Sequence, residues 1–194
     1  MPNLYIISGC NGAGKTTASY TILPEMLNCN EFVNADNIAA GLSPFNPENV
    51  AIEAARIMLT RIEELLLKGV DFAIETTLAS RSYMSLIKRA RKLGYRIKMV
   101  YFWLSSPLEA KNRVAARVRS GGHDIPEEVI ERRYYGGIYN LINLYISICD
   151  IWLIVNNMKT PSELVCQGEF DKVSIIYNHD IWYTINRQSD EVKR

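Results

Sequence analysis

Apolar runs of strand length alternate with stretches of helical period along nearly the whole chain. That alternation predicts a parallel sheet wrapped by helices, because parallel strands need a crossover between them and bury both faces. Leu4-Tyr5-Ile6-Ile7-Ser8 reads as the first buried strand, and a helix over 17–23 follows a glycine-rich stretch. Glu31-Phe32-Val33-Asn34 is the second strand. Asn46 is expected to cap a long helix with Pro47 at its first position, Val50, Ala54, Ile57, Met58, Ile62 and Leu65 along one stripe, and Gly69 as its stop. Residues 70–75 form a third strand, 82–93 a helix closed by Gly94, and 95–104 a fourth strand rich in aromatic and β-branched residues. Helices over 107–120 and 126–148 come next, split by Gly121-Gly122-His123-Asp124, and Gly136-Gly137 is expected to bend the second. Ile151-Trp152-Leu153-Ile154-Val155 is the fifth strand. Beyond it the pattern weakens to a small strand at Ser174-Ile175-Ile176-Tyr177, an aromatic segment through Trp182-Tyr183, and polar residues 187–194 expected to fray. With no repeat, low-complexity tract or linker, the reading is one three-layer α/β domain over 1–194 on a central five-stranded parallel sheet.

Composition narrows the function classes. The 194 residues are 48% hydrophobic and 22% charged, ordinary values for a globular protein, and the net charge is +1. No global field therefore favours nucleic acid or an acidic membrane surface, and a nucleic-acid role needs a local basic patch. No apolar run is long enough for a membrane span, and no basic region precedes an apolar stretch at the start, so a cytoplasmic protein is expected. Cys10, Cys29, Cys149 and Cys166 are scattered, with neither C-x-x-C spacing nor paired histidines, which reads as reduced thiols. Cys10 is expected to be a small filler rather than a redox group.

The chemistry begins at residues 9–16, Gly9-Cys10-Asn11-Gly12-Ala13-Gly14-Lys15-Thr16. Strand, glycine-rich loop and helix in this order make a phosphate-binding loop: glycines let the main-chain N–H groups turn inward, and the helix N-terminus adds partial positive charge. Gly9, Asn11, Gly12, Ala13, Gly14, Lys15, Thr16 and Thr17 are the expected nucleotide-binding positions. Lys15, standing open to the ligand, would bridge the β- and γ-phosphates, and Thr16 would ligate Mg²⁺. The chain is thus expected to bind ATP with Mg²⁺ in a P-loop NTPase or kinase fold.

In open parallel sheets ligands bind beyond the carboxyl ends of the strands, so residues there carry the remaining expectations. Transfer of a phosphoryl group to an alcohol needs a carboxylate beside the acceptor hydroxyl, a task for which Asp36 is placed; its bland alternative is a helix N-cap. Glu75 either holds Mg²⁺ through water or is an exposed strand-end carboxylate, and Thr77 offers a hydroxyl to the substrate. Lys111, Arg113, Arg117 and Arg119, with Arg132 and Arg133, form an arginine-rich segment over about 107–135; Arg113 and Arg117 share a helix face. In small P-loop kinases such a segment is a lid whose guanidinium groups close on phosphate, against the alternative of a solvated helix face. His123 and Asp124 are a hinge or a substrate contact. Asn156-Asn157 either passes the nucleotide base or forms a turn. The tail is taken as about 158–194.

These residues together resemble the zeta-toxin family of P-loop kinases. The resemblance runs through the 9–16 loop, Val33-Asn34-Ala35-Asp36, Ala73-Ile74-Glu75-Thr76-Thr77 and the lid with its Gly-Gly-His and Ile125-Pro126, about residues 3–157. It implies a kinase for the 3′-hydroxyl of the amino sugar of UDP-N-acetylglucosamine, with Lys15 and Thr16 holding ATP and Mg²⁺. Asp36 falls on the catalytic base, Glu75 and Thr77 on the Glu-x-Thr facing metal and sugar, and Arg117 or Arg113 near the first lid arginine. The family's second lid arginine is replaced by His123. An antitoxin partner is implied too, although the N-terminal helical segment that usually docks it is missing. Other readings are a nucleotide-hydrolysing switch, disfavoured by the lack of Asp-x-x-Gly, and a kinase for nucleic-acid ends or tRNA, which needs a basic groove with aromatic stacking.

Overall fold

The computed structural model describes residues 1–192. Seven strands form one sheet in the order β2-β3-β1-β4-β5-β6-β7. The first five, β1 (Asn3–Gly9), β2 (Phe32–Val33), β3 (Phe72–Thr76), β4 (Arg96–Trp103) and β5 (Ile151–Asn156), pair in parallel. They are the five-stranded parallel core expected from the alternating pattern. β1 lies at the centre, and Leu4, Ile6 and Ile7 are at most 1% exposed, which is why it reads as a continuous apolar run. Its register sets Ile7 opposite Glu75 and Ser8 opposite Thr76, so β1 and β3 deliver the glycine loop and Glu75 to the same edge.

Helices cover the sheet: α1 (Lys15–Thr21), α2 (Ala35–Leu42), α3 (Ala51–Lys68), α4 (Tyr83–Lys92), α5 (Pro107–Arg119), α6 (Glu127–Asn140) and α7 (His179–Glu191). α3 ends where the sequence indicates, at Gly69 with φ 65°, a left-handed C-terminal residue that glycine adopts without penalty. α5 starts with Ser106 accepting the Glu109 N–H at 3.2 Å and Pro107 in its first turn.

Several expectations change. Residues 47–50 make a 3₁₀ turn before α3, and Asn46 places no side-chain bond on it. Asn34, not Asp36, caps α2, accepting the N–H groups of Asp36 and Asn37 at 2.8 and 3.2 Å. Gly136 and Gly137 do not interrupt α6. They lie within it, Gly137 where the Thr77 carbonyl approaches too closely for a side chain; the helix changes character only afterwards, in a π-helical turn at 141–145 and a 3₁₀ turn at 146–148.

The tail is more ordered than its pattern suggests. β6 (Glu163–Glu169) and β7 (Lys172–Ile176) extend the sheet antiparallel from β5. Residues 187–191, expected to fray, belong to α7, while 193–194 lie outside the described residues. Gln188 explains the difference: it accepts the Trp103 indole N–H at 3.1 Å and donates to Ser105 O and Tyr134 Oη, each at 3.1 Å. Trp182 stacks on the fully buried Trp152 with ring centres 6.3 Å apart. Burying side chains of this size is worth about 2–3 kcal/mol each, enough to hold a helix whose own sequence is polar.

Candidate functional site

Beyond the carboxyl ends of β1, β2 and β3 two compartments adjoin. One, of about 270 Å³, is lined by Asn11, Gly12, Gly14, Lys15, Thr16 and Thr17 of the loop together with Asp36, Glu75, Arg113 and Arg117. The other, of about 430 Å³, is lined by Asn11, Lys15, Asn34, Asp36, Glu75, Thr76, Thr77, Ser80, Ser82, Tyr83, Arg132 and Arg133, with Ala35 and Ala79. Asn11, Lys15, Asp36 and Glu75 belong to both. The first is shaped by main-chain amides at the start of α1; the second by side chains from four separate segments.

The loop is built for close approach. Gly14 has φ 82° and sits at the start of α1, with Asn157 so near that a Cβ would come within 2.5 Å of its Nδ2. At Gly12, φ 77°, a Cβ would meet Ala110 O at 2.9 Å. Gly9 and Ala13 form the underside: Gly9 lies against the Phe102 carbonyl, and Ala13 is fully buried and accepts the Asn157 amide at 2.7 Å. Asn157 therefore buttresses the loop, while Asn156 closes a turn by accepting the Met158 N–H at 3.1 Å and donating to Glu163. Cys10 is 2% exposed, and burial pushes its thiol up to about 11, with Lys15 and Arg113 pulling the other way. It is protonated and inert at neutral pH, as a filler should be.

Lys15 is 6% exposed rather than open: Nζ donates to Cys10 O at 2.9 Å and stands 3.6 Å from Glu75. Glu75 is enclosed by donors, since its Oε2 accepts Thr16 Oγ1 at 2.7 Å and Asn34 Nδ2 at 2.8 Å. The exposed strand-end alternative for this carboxylate thus does not hold; its side chain is only 10% exposed. Thr16 hydroxyl and Glu75 carboxylate in contact are an all-oxygen donor pair, the kind Mg²⁺ takes together with phosphates and water. No cluster of three or more His, Cys, Asp or Glu able to hold a metal occurs among the described residues.

Asp36, in the first turn of α2, is exposed, and its carboxylate makes no hydrogen bond or ion pair among the described residues. It borders both compartments with its lone pairs free. Tyr83 stands on the far wall of the larger one, its phenol held above the ordinary value by burial first and by the Asp36 charge, with a hydrogen bond to Thr76 opposing. It stays a neutral hydrogen-bonding group at neutral pH.

The arginines divide. Arg113 is engaged, by Glu109 at 2.8 Å and by Asn157 O at 2.9 Å, tying α5 to the segment after β5. Arg117 donates to His123 O at 3.0 Å, and its buried Nε has no partner. A buried unpaired guanidinium N–H is costly, so Arg117 is poised to gain from an anion in the smaller compartment. Arg133 bonds Asn11 Oδ1 at 3.3 Å, and neither Arg132 nor Arg133 pairs with a carboxylate among the described residues. His123 stands elsewhere, in a cleft of about 550 Å³ with Pro44, Phe45 and Gly122, and borders neither compartment. Sequence reasoning gives no role to Ser80, Ser82 or Tyr83, which are ordinary residue types in a loop and helix start; only the fold brings them to the site.

Fold and site together define a P-loop domain. Residues 4–134 match the AAA_33 family, an AAA domain, and the chain belongs to that family. It is 29% identical over 127 residues to an uncharacterized protein of Haemophilus influenzae, covering 65% of this chain and 88% of that one. Among solved structures it is similar to the AvrRxo1-ORF1:ORF2 complex crystallised with ATP, at TM-score 0.75 and 16% identity, over 95% of this chain but 63% of that one. The chain thus spans less than two thirds of that relative. A second similar structure comes from the PezAT chromosomal toxin–antitoxin system of Streptococcus pneumoniae, at TM-score 0.67 and 14% identity, covering 100% of this chain and 88% of that one. At these identities the likeness concerns the fold. No described helix is long and apolar enough to cross a membrane.

Proposed function

We propose that the chain is an ATP- and Mg²⁺-dependent kinase of zeta-toxin type, transferring the γ-phosphoryl group to a hydroxyl of a small molecule, a nucleotide sugar such as UDP-N-acetylglucosamine. The observation that carries this reading is the shared wall: a main-chain phosphate cradle and a side-chain compartment meet at Lys15, Asp36 and Glu75. A hydrolase needs room for one water there. A compartment of about 430 Å³ beside the phosphates has room for a second substrate.

The loop amides and Lys15 hold the phosphates, and Glu75 keeps Lys15 and Thr16 in register. Thr16 and Glu75 would hold Mg²⁺, which would supply positive charge against the phosphates. Asp36 orients the acceptor hydroxyl and takes its proton, the role its unpaired carboxylate suits. Arg117, with Arg113 beside it, closes on the moving phosphoryl group, where cationic donors act most strongly. Thr77 binds the acceptor, and Arg132 and Arg133, unmatched by carboxylates, favour one that is already anionic, as a nucleotide sugar is. His123 lies outside this set. The use of ATP is supported by the ATP complex of the similar AvrRxo1 structure, and a protein partner by the toxin–antitoxin setting of the PezAT structure.

The test is transfer from γ-labelled ATP to a panel of nucleotide sugars, nucleosides and RNA ends. Label on a nucleotide sugar, with rates insensitive to salt between 50 and 200 mM as about the range that discriminates phosphate-backbone binding, supports the reading. Label on RNA ends, weakening steeply with salt, overturns the acceptor class.

A further inference from the structure

The segment that brings Thr77 and Ser80 into the larger compartment does not hold its shape unaided. Leu78 has φ 57°, in the left-handed region, which a leucine enters only when its surroundings fix it. Its N–H donates to Thr76 Oγ1 at 3.1 Å, and its carbonyl accepts Asn140 Nδ2 at 2.7 Å. Both side chains are closed off from water, Leu78 at 0% and Asn140 at 5% exposure. Gly137, on the same face of α6, stands so near that a Cβ would come within 2.6 Å of Thr77 O. Tyr145, just beyond α6, donates to Ser80 O at 2.6 Å. Four residues before Gly137, on the same face again, Arg133 reaches Asn11 of the phosphate loop.

We infer that α6 is a spacer fixing the distance between the phosphate loop and the acceptor segment, and that Asn140 is a positioning residue for the acceptor, acting through Leu78 on Thr77. The inference rests on the kinase reading above. Asn140 holds the Leu78 carbonyl, and its release favours a turn of Leu78 back to negative φ that rotates the peptide carrying Thr77 away from the compartment. The phosphate loop is secured separately, by Asn157 on Ala13 and by its own glycines. Loss of the Asn140 bond is therefore felt by the acceptor and not by ATP. The approach of Thr77 O also explains Gly137 inside a continuous helix, where helix propensity alone disfavours glycine.

The experiment uses the full chain, MgATP and UDP-N-acetylglucosamine as probes, and the variants Asn140→Ala and Tyr145→Phe. For Asn140→Ala the acceptor KM rises roughly 10- to 10²-fold, the scale of a displacement near 1 Å, while ATP affinity by calorimetry stays within about twofold. Amide hydrogen exchange at 78–82 accelerates. Tyr145→Phe, which keeps the ring, moves the same quantities less and in the same direction, and carries the test if Asn140→Ala does not fold. An unchanged acceptor KM, or acceptor and ATP affinities falling together, overturns the positioning role. Unchanged exchange at 78–82 in both variants overturns the clamp itself. A wild-type chain that transfers no label overturns the kinase reading and the acceptor role with it, and hydrogen exchange then decides separately whether α6 holds the segment.

Discussion

The two halves of the candidate site are made in opposite ways. The donor half is mostly local: residues 9–16 carry their own glycines, cation and helix start, and their shape follows from backbone conformation at Gly12 and Gly14, with Asn157 as a buttress from far along the chain. The acceptor half is assembled from β2, β3, the start of α4 and the middle of α6, segments up to about 100 residues apart in the chain, and needs bonds such as Asn140 to Leu78 to keep one form. A local site tolerates drift in the surrounding sequence, since its determinants travel together. An assembled one can change what it accepts through single substitutions while the donor chemistry stays.

That difference is sharpened by breaking each half in turn. Lys15→Ala should have the largest effect, lowering phosphotransfer by about 10³-fold or more with ATP affinity reduced as well, because one cation serves both compartments. The fold should survive, since Thr16 and Asn34 still satisfy Glu75; steady-state assays and circular dichroism check the two parts. Asp36→Asn should cost roughly 10²–10⁴-fold in transfer and leave ATP affinity nearly intact, the signature of a base rather than a metal ligand. Parallel loss of affinity and rate in calorimetry and kinetics would make Asp36 part of the donor half. Arg117→Ala should reduce kcat by about 10²-fold, with a smaller change in acceptor KM, because its unpaired Nε finds an anion only when the site is filled.

A further effect belongs to neither half and tests the core beneath them. Burial raises the Cys10 thiol to about 11 and the Cys149 and Cys166 thiols to about 12, from an ordinary value of 9.0. Folded-state values above the unfolded ones mean stability is fully present below pH 9 and falls as pH climbs toward 11–12. The slope is at most about 1.4 kcal/mol per pH unit for each thiol that ionises only on unfolding. Urea melts at pH 8 and pH 10 read it directly; equal midpoints would mean the thiols are not shielded.

The same contrast explains what the sequence disclosed. The donor loop and the five parallel strands were legible because their determinants are contiguous: glycine positions in one, apolar runs in the others. Glu75 and Asp36, which line both compartments, were singled out by their place at or just after strand ends, a topological rule that needs no contacts. What stayed hidden was set by partners far along the chain. β6 has Cys166, Gln167 and Gly168 in its run and little β propensity, and it forms because β5 offers an open edge. The end of α7 looks like a frayed tail until Gln188 meets Trp103. Gly136 and Gly137 read as helix breakers, since nothing in their neighbourhood reveals that the Thr77 carbonyl leaves no room for a side chain at Gly137. Arg113 and Arg117 looked equivalent on one helix face, and only tertiary contacts separate a tied arginine from a poised one.

The central claim is that both substrates occupy adjoining compartments at once and exchange the phosphoryl group across Lys15, Asp36 and Glu75. Initial velocities with γ-labelled MgATP and UDP-N-acetylglucosamine varied together test it most directly. The account predicts intersecting double-reciprocal lines and label on the sugar nucleotide. Parallel lines with label retained on the protein, or label released only as inorganic phosphate, would contradict it.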